Sequence, residues 1–364
     1  MTDARSTVHF VYPFGNRVSC PDSIGREVTL RLRRVYEVKN YDWADLRRIR
    51  PGPRDVLLGH ACPIPFTVFR RSCVQAGWRR RILMSPFCPG ELYQPAYNDA
   101  IIRHCDLYLA ICGRFWFARA EASEFSHWVP KMRHIDLAVN RDHFPPIKQR
   151  FGPPGGRRFV YIGGDSWYKN VRYLSEIARH APEIPIHWMG NGKPIPGVTS
   201  LGYRDFAQPE ARRELQSYDF MITVGSADAN PTTVLEAMAW GLIPVCTPQS
   251  GYAGYKGIVN VPLNAAQDAA AILRALEQAS EDHLLTLQTE NWNALVSHFN
   301  WDRFNDQVVQ AIESGESPRC SEEPLSLKAR LRLAELRFPF WRDLCDPRKL
   351  PRRLAGRHAV RLGG

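Results

Sequence analysis

Several features that would place the chain in a simple class are missing from its 364 residues. No two of its nine cysteines form a Cys-x-x-C pair, and none has a histidine at metal-ligand spacing, which argues against a zinc module. The first thirty residues contain no apolar signal-peptide segment, and no run approaches the roughly 18 apolar residues of a membrane span. We therefore expect a cytoplasmic protein with buried, reduced thiols.

The positive charge is concentrated at one end of the chain. The net charge is +11, and the segment from Leu325 onward has eleven Lys/Arg against three acids, which leaves +3 for everything before it. Leu327, Leu331, Ala334 and Phe338 fall on one helical face, a pattern typical of an interfacial helix. We predict peripheral contact with an anionic membrane through residues 325–364. The alternative is a last helix that crosses back to the start of the fold.

Nucleic acid is not expected as a partner, because no aromatic platform, zinc module or helix-turn-helix signature accompanies the charge.

The order of apolar and amphipathic segments predicts an α/β fold with two parallel-sheet domains. Short runs rich in β-branched and aromatic residues alternate with longer amphipathic stretches, and the pattern occurs twice. Pro145, Pro146 and residues 153–156 interrupt it and indicate a linker. We assign 1–150 to a first Rossmann-like domain, 151–315 to a second, and 316–364 to a basic amphipathic tail.

The predicted elements follow from these runs and from the turn residues between them. In the first half we predict strands at 8–12, 56–58, 81–84, 107–111 and 134–139, and helices at 23–33 and 114–125. In the second half we predict strands at 158–163, 186–189, 220–224, 243–246 and 258–261, and helices at 171–180, 209–216, 232–240, 265–279 and 301–312.

One stretch, residues 226–245, combines the features of an anion-binding helix start with two carboxylates. It follows an apolar strand, and Thr232 or Thr233 could cap the helix, whose free first-turn N–H groups would face the strand's end. Asp228 lies in the loop before the helix and Glu236 in its early turns. Carboxylates accept pairs of hydrogen bonds and therefore suit sugar hydroxyls.

The same stretch resembles the retaining glycosyltransferases of family 4. Their signature is Glu, seven residues and Glu, followed by Ala-Met-Ala-x-Gly-x-Pro-Val. This chain has Asp228, seven residues and Glu236, followed by Ala-Met-Ala-Trp-Gly-Leu-Ile-Pro-Val. The resemblance implies the GT-B architecture, with two Rossmann-like domains facing a central cleft. It also implies that Asp228 contacts the donor sugar and Glu236 the nucleotide ribose.

The resemblance extends over roughly residues 135 to 312. Residues 159–170 are similar to a family segment whose arginine and lysine neutralise the donor phosphates; Lys169 is present, and Gly164 stands where the arginine would be. Further donor contacts are implied at the turns and loops that match the family, namely Gly15, Gly163, Gly190, Tyr203, Ser226, Thr232 and Thr233. In many family members a histidine contacts the transferred sugar, and His60 is the nearest candidate for that contact here. The alternative is that His60 has a purely structural role.

The expected activity is therefore transfer of a hexosyl-type unit from a nucleoside-diphosphate sugar, with retention, to a glycan or lipid-linked acceptor in polysaccharide or lipopolysaccharide biosynthesis. No cofactor is expected. No metal is expected either, because no Asp-x-Asp motif is present to hold one. Three alternatives remain open. Two are on the same fold: a nucleotide-sugar epimerase, and a non-catalytic protein that binds sugar nucleotides. The third is a transferase that acts on nucleic acid or protein rather than on a glycolipid.

Overall fold

The computed structural model describes residues 6–13, 19–62, 66–88 and 93–315, together with Leu331. Its first half contains a six-stranded, fully parallel sheet in the order β2-β1-β3-β4-β5-β6. The strands are β1 Thr7–Val11, β2 Glu37–Tyr41, β3 Val56–Gly59, β4 Arg80–Pro86, β5 Leu107–Ile111 and β6 Met132–Ile135. The helices are α1 Cys20–Leu32, α2 Val68–Cys73, α3 Tyr93–Ile102 and α4 Arg114–Phe117. Strands β1, β3 and β5 are buried along their whole length, as expected for a parallel sheet covered by helices.

The second half repeats this architecture with another six-stranded parallel sheet, in the order β12-β11-β10-β7-β8-β9. Its strands are β7 Phe159–Ile162, β8 Ile186–Met189, β9 Val198–Gly202, β10 Phe220–Thr223, β11 Ile243–Cys246 and β12 Val259–Asn260. The helices are α5 Arg172–His180, α6 Pro209–Gln216, α7 Thr232–Trp240, α8 Ala266–Glu277, α9 Glu281–Ser297 and α10 Trp301–Glu313. The predicted α/β class with two parallel sheets is thus confirmed.

Two predicted elements of the first half are wrong in extent. The helix predicted over 114–125 ends at Phe117, because tight turns follow and the Ser123 side chain bonds to the backbone of Ala120 and Phe125. The strand predicted over 134–139 is β6, which ends at Ile135. Strand β2 was not predicted, since it is a polar edge strand, and the 17-residue helix α9 was also missed.

Helix α10 returns the chain to the first half of the fold. It packs on α1 and β4, and Arg31 forms an ion pair of 2.7 Å with Asp306. Apart from Leu331, the predictions for 316–364 lie outside the described residues, as does that for Gly15. Within the described part of the chain, no helix is long and apolar enough to span a bilayer.

The segment predicted as a linker is anchored to the second half. The N–H groups of Ile147 and Lys148 both donate to the carbonyl of Trp240, at 3.0 and 2.9 Å. The Lys148 ammonium pairs with Asp219 at 2.7 Å, and both side chains are almost completely buried. The first part of this segment is thus held against the second sheet by a buried ion pair.

Candidate active site

The loop after β10 and the start of α7 lie at the carboxyl edge of the second sheet. The N-cap residue of α7 is Pro231, and Thr232 and Thr233 are its first two helical residues, so the prediction that a threonine caps this helix is wrong. The Thr232 hydroxyl instead hydrogen-bonds to the Glu236 carboxylate. No side chain caps the N–H groups of the first turn, and such a helix start attracts negative charge.

Lys169 and Asp228 form an ion pair beside this helix. Lys169 ends a short 3-10 helix after β7 and Asp228 lies in the loop after β10; β7 and β10 are neighbours in the sheet. The Lys169 Nζ and Asp228 Oδ2 atoms are 2.5 Å apart, and the two side chains are 20% and 13% exposed. Burial lowers the pKa of Lys169, but the adjacent carboxylate more than offsets this and leaves the pKa above its usual value. The lysine therefore keeps its positive charge.

Glu236 is a carboxyl group with a strongly shifted titration. Burial raises its pKa to about 7, against the smaller opposing effects of the Thr232 hydrogen bond and the Lys169 charge. Protonated and ionised forms are therefore both populated near neutral pH. Whether protonated or ionised, this carboxyl group can accept hydrogen bonds from a ligand. Such bonds would replace the hydrogen bonds to water that burial removes.

Glu236 faces a cavity of about 840 Å³ between the two halves of the fold. The second half contributes the ends of its strands and the start of α7, and the first half contributes one side of α1. The Cys20 thiol at the start of α1 has its pKa raised to about 12, by burial first and then by the Glu236 and Asp228 carboxylates. The residues that line the cavity include Ser19, Cys20, Ser23, Arg26, Gly163, Gly164, Gly190, Tyr203, Arg204, Thr232 and Glu236.

The first half also holds the Asp228 loop from the other side. The Trp116 indole N–H donates to the carbonyls of Asp228 and Gln249 at 3.0 and 3.1 Å. A Cβ on Gly113 would lie 1.7 Å from the Gly251 carbonyl oxygen, so only glycine allows this approach of the two backbones. Sequence reasoning missed both residues, because nothing local marks a contact between segments more than a hundred residues apart.

Three predicted glycines line the cavity, and two of them are required by the packing. Gly163 has φ +149°, and a Cβ on Gly190 would lie 1.9 Å from the Gly163 carbonyl oxygen. A Cβ on Gly164 would meet only the Asn191 carbonyl oxygen, at 3.7 Å. The structure thus explains Gly163 by its backbone conformation and Gly190 by the close approach of two backbone segments, whereas Gly164 has room for a side chain.

The other predicted residues are divided between the cavity and its surroundings. Tyr203 lines the cavity with 66% of its surface exposed, whereas Lys169, Asp228, Ser226 and Thr233 are not part of the wall. His60 is outside the wall as well: it is 4% exposed and packs edge-on against Tyr12 and Trp43. Burial, and then the charge of Arg70, lowers its pKa to about 3, so the imidazole is neutral.

Two parallel Rossmann-like sheets with a cavity between them define the GT-B architecture. The sequence matches no protein-family model, and no curated protein matches it. Solved structures do match the fold. Sucrose-phosphate synthase from Thermosynechococcus elongatus aligns with a TM-score of 0.60 at 13% identity, over 84% of this chain and 98% of that one.

Two further structures show the same likeness. Anabaena HepE, in complex with UDP and glucose, aligns with a TM-score of 0.54 at 12% identity, over 84% of this chain and 99% of that one. TarM aligns with a TM-score of 0.57 at 11% identity over 73% of this chain. The alignment covers only 56% of TarM, so this chain spans little more than half of its length. These similarities establish the GT-B fold.

Proposed function

We propose that the protein is a glycosyltransferase that moves a sugar from a nucleoside-diphosphate sugar to a cell-surface glycan or lipid-linked acceptor. The observation that carries the proposal is the convergence of Glu236 and the Lys169–Asp228 pair at the uncapped start of α7. This is the carboxyl edge of a parallel sheet, where ligands bind in such folds. The complex of HepE with UDP and glucose supports a nucleotide-sugar ligand on this fold.

The chemistry of the cavity wall and of the ion pair beside it suits each part of such a donor. Glu236 can accept hydrogen bonds from the ribose hydroxyls, and Asp228 from the hydroxyls of the transferred sugar, in the roles that the resemblance to family 4 implies. Lys169 and the first-turn N–H groups of α7 provide positive charge for the diphosphate.

In the reaction, the bond between the anomeric carbon and the diphosphate oxygen breaks and a bond to the acceptor oxygen forms. The acceptor hydroxyl passes its proton to an oxygen of the departing diphosphate, which also takes the electron pair of the broken bond. Lys169 and the α7 N–H groups are already in place to stabilise that charge, which is electrostatic catalysis by preorganised donors. We propose that the transfer needs no metal and retains the anomeric configuration, as in family 4.

The distribution of charge favours an anionic acceptor environment on the first half. Residues 1–150 contain 24 Lys/Arg and 14 Asp/Glu, whereas residues 151–324 contain 13 and 20. The net charge of +3 that the chain carries before the tail is therefore the sum of a basic first half and an acidic second half. An acceptor that carries phosphate, or that sits in an anionic bilayer, would be attracted to the basic half.

One edge of the first sheet extends this basic surface towards the tail. Exposed arginines precede strands β2, β3, β4 and β5, and the loops before parallel strands lie at the same edge of the sheet. These arginines are Arg33, Arg34, Arg54, Arg79 and Arg103. Helix α10 ends at the same edge, where the Tyr36 hydroxyl donates to Glu313 at 3.1 Å. We propose that this edge and the segment 325–364 together contact an anionic membrane.

Vesicle flotation tests this contact. The full chain is expected to float with vesicles of anionic phosphatidylglycerol at low salt, and not with vesicles of phosphatidylcholine alone. Deletion of 325–364 should weaken the binding, and the additional changes Arg33→Glu and Arg34→Glu should abolish it. Equal flotation of all three proteins would contradict the proposal.

The activity itself is tested by a screen of common nucleotide sugars against the wild type and Glu236→Ala. Glu121→Ala, at an exposed position on the first half, serves as the matched control. One donor is expected to raise the melting temperature of the wild type and the control, but not that of Glu236→Ala. A wild type that responds to no donor, or a Glu236→Ala variant that responds as the control does, would count against the proposed site.

A further inference from the structure

Among the described residues that line the cavity, two are arginines, Arg26 and Arg204. Arg204 is already committed, because its Nε and Nη2 atoms bind the two oxygens of Glu214 at 2.5 and 3.2 Å and its Nη1 donates to the Leu201 carbonyl. The nearby Lys169 is paired with Asp228. A dianionic diphosphate in this cavity would thus find most of the surrounding positive charge engaged.

Unlike Arg204 and Lys169, Arg26 is not held by a close ion pair in the described part of the structure. Its contact with an acid is to its chain neighbour Glu27, at 3.5 Å, and its side chain is 39% exposed. An ion pair of this length at a solvent-exposed position contributes little. The guanidinium is therefore available to a ligand at small cost.

The geometry of α1 directs Arg26 towards the catalytic end of the cavity. Cys20, Ser23 and Arg26 are spaced three residues apart, line the same cavity and share one face of the helix. Cys20 is at the end nearest Glu236 and Asp228, and six helical residues place Arg26 about 9 Å further along the axis. Helical side chains tilt towards the N-terminus, so the long arginine side chain covers part of this separation.

The opposite wall provides backbone groups but little charge. Gly163, Gly164 and Gly190 line it, and Gly164 leaves open space where a side chain would otherwise project. The N–H groups of Gly163 and Gly190 already donate to the carbonyls of Met189 and Gly202, so a phosphate that approaches this wall would meet the backbone of Gly164. A counter-charge has to come from elsewhere.

We infer that Arg26 of the first half reaches across the cavity and binds the diphosphate of the donor bound to the second half. This inference rests on the proposed function, since it concerns the same ligand. It implies that residues of both halves of the fold contact the donor, so that the bound diphosphate bridges the two halves.

The inference is tested by calorimetric titration of the full chain with UDP, GDP and ADP, and with the nucleoside of whichever diphosphate binds. Arg26→Ala is expected to weaken the diphosphate by about ten- to a hundred-fold, the effect of one charge-assisted hydrogen-bonded contact, and to leave the nucleoside unchanged. Arg26→Lys should retain most of the affinity. Arg48→Ala, at an exposed position of the first half, is the matched control.

The outcomes separate this inference from the proposed function. A wild type that binds none of the three diphosphates would overturn both. A wild type that binds one of them, with Arg26→Ala equal to Arg48→Ala, would overturn the role of Arg26 alone. Equal weakening of diphosphate and nucleoside in Arg26→Ala would also overturn it, because loss of the helix surface rather than of the charge would then explain the result.

Discussion

Replacing Glu236 with glutamine is expected to stabilise the protein at neutral pH. The pKa of this carboxyl is raised from 4.5 to about 7 in the folded protein, mainly by burial. Between these two pH values the unfolded chain has released the proton and the folded protein still holds it. The free energy of unfolding of the wild type therefore falls as the pH rises through this window.

The size of the effect follows from the shift. Each pKa unit corresponds to about 1.4 kcal/mol, so ionisation of Glu236 lowers the free energy of unfolding by about 3 kcal/mol above pH 7. This value is an upper limit, because the side chain is partly exposed. Glutamine has nearly the same shape as the protonated acid and cannot ionise. Glu236→Gln should match the wild type near pH 4.5 and exceed its stability increasingly up to pH 7.

Melting temperatures measured at pH 5, 6, 7 and 8 test this reasoning. A gain of 1 kcal/mol corresponds to about 2–4 °C for a domain of this size, so several degrees are expected at pH 8 and about a quarter of that shift at pH 5. The exposed Glu121→Gln serves as the control and should follow the wild type at every pH. A difference between Glu236→Gln and the wild type that does not change with pH would refute the argument.

Two other substitutions test the packing around the site. Gly190→Ala should destabilise the protein by about 1–3 kcal/mol, because its Cβ would lie 1.9 Å from the Gly163 carbonyl oxygen, whereas Gly164→Ala should be nearly neutral in thermal melts. Similar melting temperatures for the two variants would contradict this. Lys148→Ala should cost about 3–5 kcal/mol in denaturant unfolding, because it leaves the Asp219 carboxylate buried without its ammonium partner, and a loss below 1 kcal/mol would contradict the role assigned to this pair.

The second half of the fold could be predicted well from the sequence because its signals are local. Strand β10, the following loop and α7 are contiguous, so the positions of Asp228 and Glu236 at the sheet edge follow from hydrophobic patterning and spacing. The Lys169–Asp228 pair also forms between predicted positions, because β7 and β10 are neighbours. The roles of these residues towards a ligand stay predictions.

The first-half wall of the cavity could not be predicted, because it exists only in the folded protein. Trp116 reaches carbonyls more than a hundred residues away, and Arg26 joins the cavity through the placement of α1 against the second half. Neither residue stands in a motif. His60 illustrates the reverse case: its position after a strand fits a ligand contact, but the rings of Tyr12 and Trp43 bury it.

The central claim, a sugar-transferring site built on the Lys169–Asp228 pair, is tested most directly by a turnover assay. The wild type and Asp228→Asn would be incubated with the donor found in the screen and a panel of glycan and lipid-linked acceptors, with nucleoside diphosphate and glycosylated product both quantified. The account predicts equal amounts of both from the wild type and at least a hundred-fold slower turnover in the variant, on the order of removing one preorganised electrostatic contact. Epimerised sugar without acceptor from the wild type, or undiminished turnover in Asp228→Asn, would contradict it.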